Sequence, residues 1–227
     1  MNKIQEYINK RHNTKNEYLL FNKVPIIIQD RLKVENDFNI SDLVKNLESL
    51  LPIIFKSIIK SIIILDSPVF DEREVNAFYQ DSTLYISNEQ DDLNDIIDDI
   101  VHEFAHALEV YFESELYGDG QIKDEFLKKR TLLKHILKYE GLDVDNYDFN
   151  MLDYTKTLDD FFYKTVTYEK INNLTNHGLL ITPYAITSLQ EYFATGFEEY
   201  ILGDGRELSN ISPKLFAKIK NILEFQY

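Results

Sequence analysis

The sequence contains no cysteine, which excludes a disulfide framework, a thiolate zinc site and a cysteine nucleophile. Seven glycines and five prolines in 227 residues are too few for a collagen-like or linker-like chain. The longest apolar stretch, residues 50–70, is interrupted by Lys56, Lys60 and Asp66 and is too broken to span a bilayer. The first residues lack the apolar core of a signal peptide, so we expect a cytoplasmic protein, with leaderless secretion as the alternative.

Positive charge is also scarce. The sequence has 24 basic and 39 acidic side chains, and its formal net charge is −15. Such a surface repels nucleic acid and anionic membranes, so we expect neither as a partner. A peptide or protein substrate meets no such barrier, and nothing in the sequence indicates an oligomeric state. Hydrophobic residues make up 44% of the chain, which is ample for a buried core.

The first half of the chain alternates short β-branched runs with helical patterns. Residues 24–29 and 61–66 are predicted as strands, and residues 76–87 as two strands around a turn at 80–82. Residues 1 to about 20 are predicted to be helical, and Ser41 is predicted to cap a helix that extends to Leu51, with a continuation past Pro52 as an option. We divide the chain into a mostly helical N-terminal region, residues 1–60, integral to the same domain, and a second region, residues 61–227.

The second half is predicted to be mainly helical. A long helix over residues 91–117 carries an apolar stripe that includes Ile97, Phe104 and Tyr111, and it ends at Gly118. Further helices are predicted at about 122–139, 187–203 and 213–225. Residues 142–183 are predicted to form short helices and loops.

The long helix contains the sequence His102-Glu103-Phe104-Ala105-His106, an HExxH motif. Residues four apart lie on one face of a helix, so both imidazoles can bind one Zn²⁺. Glu103 is rotated about 100° around the helix axis and can act as a general base. The alternative interpretation, two surface histidines on an acidic helix, is the weaker one because the chain has only five histidines and two of them fall at this spacing.

A zinc hydrolase needs a third protein ligand, and the sequence leaves several possibilities. His12, His135 and His177 are open, as are several carboxylates. Glu191 is the best candidate because it begins an apolar, aromatic-rich run in which a carboxylate is costly unless paired or bound to metal. Glu198, seven residues later on the same face, is the reserve, and an ordinary half-exposed Glu191 is the alternative.

The segment HEFAHALE, followed by Tyr184 and by Glu191-Tyr192-Phe193-Ala194, resembles the zincin metallopeptidase family of anthrax lethal factor and the Pro-Pro endopeptidases. The likeness covers about residues 60–225. It implies an α+β, mainly helical zincin-like fold with a small mixed β-sheet packed on the HExxH helix. It also implies that His102, His106 and Glu191 bind zinc, that Glu103 is the general base and that Tyr184 stabilises the oxyanion.

Family members often carry an acid four residues after the ligand glutamate, where this chain has Thr195. Asp98, Asp99 or Glu109 could supply that supporting carboxylate instead. Strand Thr83–Ser87, if it forms a sheet edge, would bind an extended peptide by strand addition.

The resemblance therefore implies a zinc-dependent metalloendopeptidase that hydrolyses peptide bonds through a zinc-activated water. A toxin-like effector and a self-processing enzyme are two roles that it could have. The alternative from a different class is a catalytically inactive protein-binding module on a zincin fold. Hydrolysis of a non-peptide amide at the same site is a third option.

Overall fold

A computed structural model describes residues 16–33, 39–175 and 178–224. Within these residues it contains eleven α-helices and one mixed five-stranded sheet, so the predicted α+β class with a small mixed sheet is confirmed. No helix among them combines the length and the apolar character needed to cross a membrane. The chain divides into two compact units, residues 1–108 and residues 109–227.

The sheet belongs to the first unit, and its strand order is β1-β2-β3-β5-β4. The strands are β1 (Asn16–Leu20), β2 (Val24–Ile28), β3 (Ser61–Leu65), β4 (Ala77–Gln80) and β5 (Thr83–Ser87). Strand β3 lies parallel to both β2 and β5, while β1 and β4 are antiparallel to their neighbours. Strand β5 is therefore an interior strand, and the expectation that it forms an edge is wrong. On that side of the sheet, β4 is the last strand among the described residues.

The turn predicted at residues 80–82 is present between β4 and β5. Asp81 and Ser82 both have positive φ angles, 53° and 62°. Two consecutive left-handed residues form the type I′ turn, whose twist matches that of an antiparallel hairpin. The strands predicted at residues 24–29 and 61–66 are present too, and each buries alternate side chains in the core, Val24 and Ile26 in the first and Ile62 and Ile64 in the second.

The helices of the first unit include two that were predicted and that differ from the prediction at their ends, and one at residues 68–73 that was not predicted. They are α1 (Ile40–Leu50), α2 (Phe55–Ile58), α3 (Pro68–Arg73) and most of α4 (Leu93–Tyr111). Asn39, not Ser41, caps α1, since its side chain accepts a hydrogen bond from the Ser41 backbone N–H at 2.9 Å. Helix α1 ends before Pro52, so it does not continue past that proline.

The helix predicted over residues 1–20 is wrong where it can be assessed, because residues 16–20 form β1. Pairing with β2 overrides the polar character of this segment. The remainder of that prediction, residues 1–15, lies outside the described residues, as do His12 and His177.

All the regular secondary structure that is described in the second unit is helical, and irregular segments connect the helices. Its helices are α5 (Glu113–Tyr117), α6 (Gln121–Tyr139), α7 (Lys156–Asp160), α8 (Tyr168–Thr175), α9 (Leu189–Leu202), α10 (Arg206–Ile211) and α11 (Pro213–Glu224). A π-helix, Phe161–Val166, and a 3₁₀ turn, Tyr184–Ile186, complete it. The predicted helices at 122–139 and 187–203 are confirmed, as are the short elements of 142–183. The last helix is confirmed to Glu224, and Phe225 lies outside the described residues.

Candidate metal centre

Helix α4 carries the HExxH motif, and its apolar stripe is buried as far as Leu108. Ile100, Phe104 and Leu108 are fully buried, and the Phe104 ring lies 4.7 Å from the Phe55 ring of α2. The helix stops at Tyr111, which is 59% exposed, so the stripe and the helix are both shorter than predicted. The buried stripe fixes which face of α4 the two histidines occupy.

His102 and His106 lie one helical turn apart on that face. Their ring centroids are 5.0 Å apart and their planes meet at 79°. Both side chains are half-buried. Two imidazoles that are held by one helix at this separation can offer nitrogen atoms to a single metal ion.

Glu103, between the two histidines in sequence, is almost fully buried with 9% of its surface exposed. A carboxylate near it, Asp99, accepts a hydrogen bond from the Gln90 amide at 3.0 Å. Burial raises the pKa of the Asp99 carboxyl to about 6, the Gln90 hydrogen bond opposes this rise, and the charge of Glu103 adds to it. Asp99 also interacts electrostatically with His102, as expected of a carboxylate that supports a histidine.

Glu109 has a different partner. It is 7% exposed and accepts a hydrogen bond from the Tyr117 hydroxyl at 2.5 Å. Burial and the Glu109 charge raise the pKa of Tyr117, so this hydroxyl stays protonated as the donor. Sequence analysis considered Glu109 only as a carboxylate that could support a histidine and did not indicate its burial.

Glu191 lies in the first turn of α9. The Ser188 hydroxyl caps this helix by accepting a hydrogen bond from the Glu191 backbone N–H at 3.0 Å. The next residues, Tyr192 and Phe193, are buried, while the Glu191 side chain is half-buried. Thr195, at the position where the family often has an acid, donates its hydroxyl to the Glu191 carbonyl at 2.8 Å. The Thr195 hydroxyl therefore bonds to the backbone of α9.

One ligand atom from each of His102, His106 and Glu191 lies within 4.8 Å of the other two. This is the one group of three metal-binding side chains in the part of the chain that the structure describes, and it includes neither Glu198 nor His135. Ligand atoms of one zinc ion, each about 2.0–2.1 Å from the metal, lie at most about 4.2 Å apart. The three groups therefore lie close to the spacing that a common ion requires, and two imidazoles and a carboxylate are a donor set that fits zinc.

Tyr184 begins the 3₁₀ turn before α9 and its side chain is 43% exposed. Its backbone carbonyl accepts two hydrogen bonds from Thr187, from the N–H at 3.0 Å and from the hydroxyl at 2.9 Å. Tyr168 lies close enough to interact electrostatically with Tyr184. Burial, with the neighbouring Asp159 carboxylate, raises the pKa of Tyr168.

Sequence analysis missed Arg130, which is fully buried on α6. A signal for it was present in the sequence. The buried positions of this helix are Ile122, Phe126, Arg130, Leu133 and Leu137. Arg130 thus falls on the apolar face, at the spacing of a core residue.

Comparison of the chain with protein-family models, with curated proteins and with solved structures finds no match.

Proposed function

We propose that this protein is a zinc-dependent metalloendopeptidase in which His102, His106 and Glu191 bind the metal. The observation that carries the proposal is the grouping of two imidazoles and one carboxylate within 4.8 Å. Two histidines and a glutamate form a catalytic ligand set, because three protein ligands leave a fourth position open. The same proposal includes a zincin-like fold, supported by a mixed sheet and an HExxH helix that occur in succession along the chain.

When bound, zinc would supply Lewis acidity for a scissile carbonyl and would lower the pKa of a water molecule. Glu103 then accepts the proton of the attacking water and passes it to the nitrogen of the leaving amine. Its near-complete burial limits competing hydration of the carboxylate. General acid–base catalysis of this kind contributes about 10²–10⁴-fold to the rate.

Tyr184 is proposed to donate its hydroxyl proton in a hydrogen bond to the oxyanion that develops on the scissile carbonyl. The two hydrogen bonds from Thr187 to the Tyr184 carbonyl fix its backbone. Tyr184 is 43% exposed as a residue and is therefore accessible to a substrate.

An extended peptide substrate would bind to β4, not to β5. Strand β4 has one partner among the described strands, β5, so the backbone groups on its other side pair with none of those strands. An extended chain satisfies such groups by strand addition, and this mode of binding tolerates many side chains.

The test is the zinc content of the purified protein, measured by elemental analysis. We expect about one zinc per wild-type chain, and loss of that zinc in His102→Ala and in Glu191→Ala. Two matched controls carry the same chemical change outside the group: His135→Ala, an exposed histidine on α6, and Glu198→Ala, two turns along α9 from Glu191. Both controls should keep their zinc.

Zinc that is lost in the histidine variant but kept in Glu191→Ala would contradict the ligand role of Glu191. A wild-type protein without zinc, even after reconstitution, would overturn the enzyme proposal and favour the inactive binding module. A zinc-loaded protein should then be screened against a peptide library, with and without a chelator.

A further inference from the structure

The buried guanidinium of Arg130 binds three backbone carbonyl groups. Its Nε and Nη2 atoms donate to the Ile186 carbonyl at 2.8 and 2.6 Å, and Nη2 also donates to the Thr187 carbonyl at 2.6 Å. Nη1 donates to the Met151 carbonyl. The guanidinium carbon lies 4.7 Å from the centroid of the Phe126 ring. Burial lowers the pKa of Arg130 to about 10, so the side chain remains charged at neutral pH.

The carbonyls that Arg130 binds belong to the segment that leads into the proposed site. Ile186 ends the 3₁₀ turn that Tyr184 begins. Thr187 is the next residue, and its N–H and hydroxyl both donate hydrogen bonds to the Tyr184 carbonyl. Ser188 follows and caps the backbone N–H of Glu191. Hydrogen bonds therefore connect the guanidinium to the Tyr184 backbone through Thr187. The connection to Glu191 runs through the Thr187–Ser188 peptide bond and then the Ser188 hydroxyl.

A second contact fixes the same segment against the loop before α7. The Leu189 N–H donates to the Leu152 carbonyl at 2.8 Å, one residue from the Met151 carbonyl that Arg130 binds. The planar fork of arginine donates in several fixed directions at once, which the single ammonium of lysine cannot reproduce. Burying a cation is costly, and here backbone carbonyls offset that cost at the entrance to α9.

We propose that Arg130 is a positioning residue that sets the placement of the Glu191 carboxylate and the Tyr184 hydroxyl. It acts through the carbonyls of Ile186 and Thr187 and touches neither substrate nor metal. This inference rests on the proposed function for the role of Glu191 and Tyr184. The hydrogen-bonded path from Arg130 to α9 is independent of that function, and this allows the two to be tested separately.

The experiment compares Arg130→Lys and Arg130→Gln with Leu137→Ala. Leu137 is fully buried on the same face of α6, two turns from Arg130, so its truncation destabilises the helix without touching the Ile186–Thr187 carbonyls. Each variant is measured for its free energy of unfolding and for Co²⁺ binding by the metal-free protein. The Co²⁺ absorption spectrum reports the number and geometry of the ligands.

We expect Arg130→Lys to bind Co²⁺ at least tenfold more weakly than wild type and with an altered spectrum. Leu137→Ala should keep the wild-type affinity and spectrum at a comparable loss of unfolding free energy. Wild-type affinity and spectrum in Arg130→Lys would overturn the proposal. The proposal would also be overturned if Leu137→Ala, at a comparable loss of unfolding free energy, lost as much Co²⁺ affinity as Arg130→Lys. Arg130→Gln provides the same comparison if the lysine variant does not fold.

Amide hydrogen exchange separates this inference from the proposed function. In Arg130→Lys the Glu191 and Tyr192 amides should exchange at least tenfold faster than in Leu137→Ala, with or without metal. If the wild-type protein binds no Co²⁺ but this exchange result holds, the metal site is refuted and the positioning of α9 by Arg130 stands. Unchanged exchange at these amides would refute the positioning role itself.

Discussion

The imidazole rings of His102 and His106 lie 5.0 Å apart, with an angle of 79° between their planes. The two rings project from successive turns of one face of α4, whose opposite face is buried through Ile100, Phe104 and Leu108. The backbone therefore fixes their separation before any metal binds. Metal must compete with protons for these nitrogens, so metal affinity should fall as the solution is acidified.

Glu103→Gln should keep zinc and lose peptidase activity. The amide has nearly the same shape as the carboxylate but cannot accept the proton of the attacking water. We expect turnover to fall about 10²–10⁴-fold. The measurement is hydrolysis of a peptide found in the library screen, together with zinc content. Glu198→Gln is the matched control, and wild-type turnover in Glu103→Gln would refute the general-base role.

Tyr184→Phe should lower turnover with little change in zinc affinity. It removes one hydroxyl donor and leaves the ring, and loss of a single oxyanion donor costs about 10²–10³-fold in rate. Tyr139→Phe, on a side chain that is 94% exposed, controls for the loss of a tyrosine hydroxyl. Equal rates in the two variants would show that Tyr184 does not act on the oxyanion.

Asp99→Asn should change how the stability of the metal-free protein depends on pH. The pKa of Asp99 is about 6 in the folded chain, against 3.8 for the free carboxyl, so the folded state binds this proton more tightly than the unfolded state. The stability that results is present below about pH 4 and is lost as the pH rises through about 6. The asparagine keeps an acceptor for Gln90 and removes the charge.

The measurement for Asp99→Asn is chemical unfolding in the presence of a chelator at pH 4, 5, 6 and 7. The variant should gain stability relative to wild type across this interval. Asp91→Asn, at an exposed carboxylate before α4, is the control. If the unfolding free energies of Asp99→Asn and wild type changed in parallel with pH, the prediction would be contradicted.

Gly196→Ala should destabilise the second unit. A β-carbon at this buried position of α9 would overlap the Cδ2 atom of Leu215 and lie 3.3 Å from the Cδ1 atom of Leu208. Alanine improves the helix by about 1 kcal/mol, but overpacking costs about 1–3 kcal/mol, and both leucines are fully buried. We therefore expect a net loss of about 1 kcal/mol in the free energy of unfolding.

A double-variant cycle checks the cause of that loss. Leu215→Val removes the overlapping methyl group, so Gly196→Ala should cost less in the Leu215→Val background than in wild type. Equal costs in the two backgrounds would exclude a clash with Leu215 as the reason.

The parts of the fold that sequence predicted are those governed by local chemistry. The β4–β5 hairpin follows from a turn at Asp81-Ser82 between apolar runs, and α9 follows from its aromatic run. The histidine pair follows from helical spacing alone. Residues 16–20 were predicted as helix because their strand character comes from pairing with β2, which sequence alone does not reveal.

The surroundings of the candidate site were harder to predict for the same reason. The burial of Glu109 depends on the hydroxyl of Tyr117 in the next helix. The role of Arg130 depends on carbonyls more than 50 residues away along the chain. Such partners are brought together only by tertiary structure, whereas the HExxH spacing lies within a single helix.

The order of strands in the sheet has a consequence for how fast the first unit folds. Strands β1 and β2 form one local hairpin, and β4 and β5 form another. Strand β3 lies between the two hairpins and must pair in parallel with β2 and with β5. Each of these pairings closes a long loop, between β2 and β3 and between β3 and β5. We expect the hairpins to form early and the insertion of β3 to limit the folding rate, so substitutions at Ile62 or Ile64 should slow folding more than substitutions in either turn.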